Sequence, residues 1–383
     1  MIHNMSNSAI FTPLRVGAWT LPHRVVMAPL TRNRAFGQVP TAAMATYYAQ
    51  RAHPQHGASL IISEATPICP EGHGYADTPG LHTPQQIAAW KTVTDAVHRV
   101  GGRIVAQLWH VGRISHTSLQ PQGQAPVAPS AVRAQAKTYV FVEQENGQRA
   151  GAFIDTSEPR ALRLDEIPGI VNAYRQAARH ALDAGFDGVE VHGANGYLLD
   201  QFLRSGSNRR TDDYGGPIEN RARLLLDVMG AVVDEIGGDR VGLRLSPVTP
   251  ANDAFDDQPQ PLFEYVVRHL APLNLAYLHI IEGQTGGARD YQQGPTPFDY
   301  AALRQAYRDA GGQGAWMVNN GYTLALAQQA LAEGADLVAF GRAFIANPDL
   351  TRRLREGAPL NTPDRATFYG GDERGYTDYP TLD

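Results

Sequence analysis

The chain has 383 residues, 43% hydrophobic and 19% charged, with a formal net charge of −5. This composition excludes a disordered or collagen-like polymer and the clustered basic footprint of a nucleic-acid binder. One cysteine, Cys69, excludes an intramolecular disulfide, a cysteine-rich zinc site and a four-thiolate iron–sulfur cluster. No apolar run approaches the ~18 residues of a membrane span. The stretch Met1–Asn7 lacks the basic-then-apolar order of a secretory leader. A cytoplasmic protein without membrane or nucleic-acid partners is expected.

In chain order, residues 11–23 read as a short hairpin ahead of the first buried strand. Eight short apolar runs follow, at 24–30, 59–65, 103–109, 188–194, 240–247, 277–283, 316–321 and 337–342. Nearly continuous in apolar content, they read as strands covered by helices. Helical periodicity spans 84–100, 164–184, 218–236, 261–270, 298–310, 323–332 and 343–356. Thr83-Pro84 and Leu164-Asp165-Glu166 are start signals, and Gly185 is a stop signal. This alternation predicts the α/β class and a single (β/α)8 TIM barrel over residues 1–383, with the hairpin plugging its bottom. A doubly wound sheet is the rival. It calls for a glycine-rich fingerprint after its first strand, and Gly72-His73-Gly74 lacks both the third glycine and the preceding strand. Residues 110–163 form a long insertion after the third strand, with a hairpin at 138–153. Following a strand C-terminus, it is expected to overhang the active face. The tail at 361–383 is too polar for a helix and too aromatic for disorder.

Strand C-termini of a barrel point into its site. There stand Thr31, Glu64, Ala65, Gln107, Trp109, His192, Asn195, Tyr197, Arg244, Asn320, Gly321, Gly341 and Arg342. No carboxylate pair stands ready to hold a metal or attack a bond, so no metal is expected. Asn320-Gly321 and Gly341-Arg342, each ahead of a helix, fit a phosphate; loop turns and a surface charge are the plain alternative. His192 and Asn195 suit a carbonyl or nitro oxygen, and Tyr197 can supply a proton. A buried structural histidine is the alternative there. Arg244 and Gln107 lie within apolar strands, where a charge is paired or faces a ligand. An ion pair of Arg244 with Glu190 or Glu64 is the other reading. His53 and His56 lack a third ligand and read as loop histidines. Asp253, Asp256 and Asp257 read as a solvated rim, and His110 and Arg113 as groups that order the insertion.

Five segments together resemble the Old Yellow Enzyme family of flavin-dependent ene-reductases, over about residues 11–383. They are Met27-Ala28-Pro29-Leu30-Thr31-Arg32, Gln107 to Arg113, His192 to Leu203, Arg209 to Gly216, and Phe368-Tyr369-Gly370-Gly371. The resemblance implies noncovalent FMN, with NADPH or NADH as reductant. It implies ping-pong hydride transfer to the activated C=C bond of α,β-unsaturated carbonyls, maleimides or nitroalkenes, extending to nitrate esters or nitroaromatics. Around the cofactor it implies Pro29, Thr31, Ala65, Gln107, Arg244, Asn320, Gly321, Gly341 and Arg342. Of these, Thr31 belongs at flavin O4, Gln107 and Arg244 at the pyrimidine edge, and the last four at the phosphate. His192 and Asn195 match the substrate-oxygen pair, Tyr197 the proton donor, and Trp109, Tyr75 and Tyr369 the pocket walls. The partners implied are an electrophilic alkene or nitro compound and the nicotinamide, with the chain a monomer or weak homo-oligomer. Asn195 marks the His/Asn type, and the charges within 371–375 depart from a glycine-rich rim. Two rivals stand beside this reading. A phosphosugar-binding barrel aldolase or hydrolase needs a barrel lysine or metal-binding acids. A non-catalytic flavin-binding protein leaves Tyr197 unexplained.

Overall fold

The structure is a computed structural model that describes residues 8–144 and 149–383; the leader reading of Met1–Asn7 falls outside them. An antiparallel hairpin comes first, β1 (Leu14–Val16) with β2 (Trp19–Leu21). Then come β3 (Val25–Met27), β4 (Leu60–Pro67) and β5 (Ile104–Trp109). The insertion carries β6 (Val127–Ala128), β7 (Lys137–Glu143), β8 (Arg149–Asp155) and β9 (Arg160–Ala161). The last strands are β10 (Gly188–His192), β11 (Val241–Leu245), β12 (Tyr277–Ile281), β13 (Ala315–Asn319) and β14 (Leu337–Phe340). Strands β3, β4, β5 and β10 to β14 pair in parallel, and β14 returns to β3, closing an eight-stranded barrel as expected.

Period-two alternation on these strands builds two cores. Outward residues such as Val189, Val191, Leu243, Leu245, Leu278 and Ile280 join the helix-side core. Inward residues Val26, Leu60, Val105, Tyr277, Met317 and Leu337 cluster with Val16, Trp19 and Leu21 of the hairpin. The hairpin therefore does plug the barrel bottom. Gly188 is required there, because a Cβ on it would lie 2.8 Å from the Trp19 ring.

The helices are α1 (Ala42–Arg51), α2 (Pro84–Arg99), α3 (Ile167–Asp183), α4 (Leu198–Leu203), α5 (Ile218–Ile236) and α6 (Pro259–Leu270). They continue with α7 (Tyr300–Asp309), α8 (Leu324–Ala332), α9 (Arg342–Ala346) and α10 (Leu350–Glu356). Thr83 caps α2, its side chain accepting from Gln86 N at 3.2 Å. The single helix expected over 343–356 is two, α9 and α10. Pro348 has no N–H to give and biases Asn347 away from helical geometry, so the chain breaks between them. Helix α4 stands where no helical period was read. Among the described residues no helix is long and apolar enough to cross a membrane.

The insertion does overhang the strand C-termini, with β7 and β8 as its antiparallel hairpin. Buried Arg113 pins it, donating to the carbonyls of Val132 at 3.0 Å and Asp253 at 3.1 Å. The acidic loop at 253–257 is not simply a solvated rim. Asp256 is buried and ion-paired with Arg221. The tail is held by buried arginines rather than by regular structure. Arg32 donates to Gly375 O at 2.9 Å, Arg34 to Asp372 O at 2.9 Å and Arg51 to Tyr376 O at 3.2 Å. Tyr376 stacks on Tyr47 with centroids 4.2 Å apart. Backbone carbonyls of an irregular segment thus find buried donors.

Candidate active site

At the C-terminal mouth of the barrel lies a cavity of about 940 Å³. Its wall includes all fifteen residues expected around cofactor and substrate: Pro29, Thr31, Ala65, Tyr75, Gln107, Trp109, His192, Asn195, Tyr197, Arg244, Asn320, Gly321, Gly341, Arg342 and Tyr369. Glu64, also expected there, is not on it. The β4 register shifts between Ile62 and Ala65. Ala65 then faces the cavity, while Glu64 turns outward to Tyr48, whose hydroxyl lies 3.2 Å from it. Burial pushes the Glu64 carboxyl up to about 7.

One wall follows β10. Its turn is fixed by Asp200, which accepts from Gly196 N at 2.8 Å and pairs with buried Arg204 at 2.7 Å. Asn195 sits there at φ +59°, a left-handed conformation that asparagine tolerates. Its Oδ1 accepts from Thr285 Oγ1 at 2.7 Å, and its backbone carbonyl from Asn252 Nδ2 at 2.8 Å. The amide is thereby oriented with its NH2 left for the cavity. Thr285→Val should release that amide. A ~3–10-fold rise in the Kd of a carbonyl ligand, the worth of one neutral hydrogen bond, is expected on titration of the wild type and variant.

His192 has no hydrogen-bond partner among the described residues, and its Nδ1 is buried. Burial, reinforced by the nearby Arg244 cation, holds its pKa well below the ordinary value. The ring is a neutral imidazole at working pH. Tyr197 caps the start of α4; its hydroxyl is 3.2 Å from that of Tyr75, and its ring meets Trp109 edge-on at 4.9 Å. Burial raises its pKa, which keeps the phenol protonated. Tyr75 stacks parallel to Trp109 at 5.6 Å. Across the mouth, Tyr369 meets Phe153 of the hairpin. Lys137, Tyr139 and Phe153 of the insertion also line the wall.

The floor is polar where the lower barrel is apolar. Arg244 is not ion-paired to Glu64 or Glu190 by any direct bond. Its Nη2 donates to Asn319 Oδ1 at 2.7 Å, and its Nε is buried without a partner. Burial lowers its pKa to about 10, so it stays cationic at neutral pH. Thr31 also has no hydrogen-bond partner among the described residues. At the far side a Cβ on Gly321 would meet nothing within 4 Å, and one on Gly341 would come no nearer than 3.5 Å to any atom. Arg342 reaches across to the carbonyl of Gly286. The side chain of Asn320 is committed elsewhere, donating to the carbonyls of Glu282 at 2.7 Å and Gln284 at 2.8 Å. Its backbone, not its amide, is what remains for a phosphate.

These features fit FMN. Unpartnered Arg244 Nε and Thr31 suit a polar heterocycle, and open glycine backbone beside a cation suits a phosphate. Asn319, Thr285 and Asn252 were missed, and Thr285 and Asn252, as isolated loop residues, had no signal. For Asn319 one existed: it is two positions beyond inward-facing Met317, hence inward itself. Among the described residues no three His, Cys, Asp or Glu side chains group to hold a metal; His53 and His56 only stack on each other at 4.5 Å.

Residues 9–361 match the sequence model of the NADH:flavin oxidoreductase / NADH oxidase family. A putative 12-oxophytodienoate reductase 2 of Oryza sativa subsp. japonica is 46% identical over 391 residues, covering 100% of this chain and 97% of the relative. A morphinone reductase solved in complex with tetrahydroNAD is 51% identical, with TM-score 0.89 and 98% of each chain covered. An old yellow enzyme homologue from Zymomonas mobilis is 44% identical, with TM-score 0.88, covering 98% of this chain and 100% of that one.

Proposed function

The chain belongs to the NADH:flavin oxidoreductase / NADH oxidase family, that of the Old Yellow Enzymes, and on this footing we propose that its barrel-mouth cavity holds both FMN and substrate. The protein is an NAD(P)H-dependent flavin oxidoreductase with ene-reductase activity. The observation that carries the site assignment is the wall on which neutral His192, the oriented Asn195 amide and the protonated Tyr197 phenol converge. Bound there, FMN would supply hydride-transfer chemistry between NAD(P)H and an electron-poor C=C bond.

The residues divide the remaining work. Gln107 and Arg244 would hold the pyrimidine edge of the flavin, Thr31 would donate to it, and Pro29 and Ala65 would flank the ring. Gly321, Gly341 and Arg342, with the backbone of Asn320, hold the phosphate. His192 and the Asn195 NH2 donate to the activating carbonyl or nitro oxygen and withdraw electron density from the alkene. Tyr197 Oη gives its proton to the α-carbon. Trp109, Tyr75 and Tyr369 exclude water from the reacting face. The whole chain is one FMN-binding unit acting in the cytoplasm, as a monomer or weak homo-oligomer.

A steady-state panel of cyclohexenone, N-ethylmaleimide and a nitroalkene, run with NADPH and with NADH, tests this function. Saturated products are expected. Nicotinamide oxidation that depends only on dioxygen, with every alkene recovered, would contradict it. Arg342→Ala should weaken FMN retention by about 1.5–3 kcal/mol, the worth of a charge-assisted hydrogen bond. Flavin fluorescence on dilution reads that loss directly.

A further inference from the structure

Just below the cavity the barrel carries a charge that the substrate does not touch. Glu190, in the middle of β10, is fully buried and stands in register with Gln107 of β5. Its Oε1 accepts from Gln107 Nε2 at 2.8 Å, and its Oε2 accepts from His279 Nδ1 at 2.8 Å. Burial, with Arg244 adding to it against the pull of Glu190, holds His279 below its ordinary value. Gln107 is a neutral donor, burial disfavours the cationic form of His279, and no arginine or lysine bonds the carboxylate directly. Arg244 gives its Nη2 to Asn319 instead.

A buried carboxylate with no arginine or lysine bonded to it is a costly arrangement. The inward layer beneath is apolar at Val105 and Met317, and the buried Tyr277 hydroxyl there is neutral and faces the Glu190 charge. Two consequences follow from the contacts. A carboxylate only accepts, so Gln107 must turn its NH2 down to Glu190 and present its carbonyl oxygen upward. A fixed negative charge in a poorly screened interior also offsets the Arg244 cation beside the cavity floor.

We propose that Glu190 is a positioning residue for the flavin: it fixes Gln107 with its carbonyl oxygen toward the pyrimidine edge and, by countering Arg244, sets the reduction potential of the bound cofactor. The proposal rests on the reading of this cavity as the FMN site. Glu190 does not line the cavity; it acts through Gln107 and through its charge.

The test uses the FMN-loaded protein. Glu190→Gln removes the charge and keeps an acceptor for Gln107. Reduced flavin, the more negative form, should gain about tenfold in affinity relative to oxidised flavin, which raises a two-electron midpoint potential by ~30 mV. Anaerobic redox titration reads it. Glu190→Asp keeps the charge but withdraws it by one methylene. Its potential should stay close to wild type, while FMN dissociates several-fold faster as Gln107 loosens. An unchanged potential in Glu190→Gln at full FMN content would overturn the proposal, as would an Asp variant whose potential moves as far as the Gln variant's. If the Gln variant does not fold, an unchanged FMN off-rate in Glu190→Asp overturns it. Wild-type protein that binds no FMN would instead overturn the underlying site assignment.

Discussion

Tyr197→Phe should leave flavin reduction by NAD(P)H nearly intact and slow reoxidation by cyclohexenone by ~10²–10⁴-fold, the range of general acid catalysis. The asymmetry follows from what the hydroxyl does. No proton is asked of it while nicotinamide reduces the flavin, but one is needed at the α-carbon of the substrate. The ring is positioned by Trp109 and His192, which it meets edge-on at 4.9 and 5.1 Å, so the phenylalanine variant keeps the wall intact. Nitroalkenes, whose product anions persist without immediate protonation, should lose less. Because burial raises the Tyr197 pKa, the wild-type reoxidation rate should stay flat through pH ~10, where an ordinary tyrosine ionises, and fall only beyond it. Stopped-flow flavin absorbance separates the half-reactions. Equal slowing of both, or of neither, would move the proton donor elsewhere.

Arg244→Ala should lower the flavin midpoint potential and raise FMN dissociation by ~10²-fold or more, the upper range for hydrogen bonds to a charged group. The guanidinium is buried, keeps its charge at neutral pH, and has an Nε with no protein partner. Its removal takes the donor from Asn319 Oδ1 and leaves the Glu190 charge beneath the cavity floor without its counter-cation. Arg244→Lys restores a cation but not the planar fork, so it should recover potential better than retention. A variant with unchanged potential and native FMN content would refute the placement of Arg244 against the flavin.

The barrel was legible because its strands are buried on both faces and read as continuous apolar runs. Its polar exceptions, Gln107, His192 and Arg244, announced the site because a charge or amide within such a run needs a reason. What escaped did so for physical causes. Helix α4 spans only Leu198–Leu203, too short for a period to emerge. The break between α9 and α10 was signalled by Pro348, but an apolar pattern on both sides concealed it. Glu64 was misplaced because the irregularity in β4 reverses the alternation. Thr285 and Asn252 orient Asn195 from loops 90 and 57 residues away in sequence, a relation that only closure of the barrel creates. The orientation of Asn195 is thus a tertiary property, whereas the residue itself is readable from the motif.

The central claim is that this cavity holds an FMN that carries electrons from NAD(P)H to an activated alkene. One anaerobic experiment tests it most directly. The purified protein is reduced with one equivalent of NADPH or NADH, then mixed with one equivalent of cyclohexenone while the flavin spectrum and the organic product are followed. The account predicts bleaching, full return of colour, one equivalent of cyclohexanone, and FMN released on heating at about one per chain. A colourless protein, or a reduced flavin that cyclohexenone leaves bleached and only dioxygen restores, would contradict it.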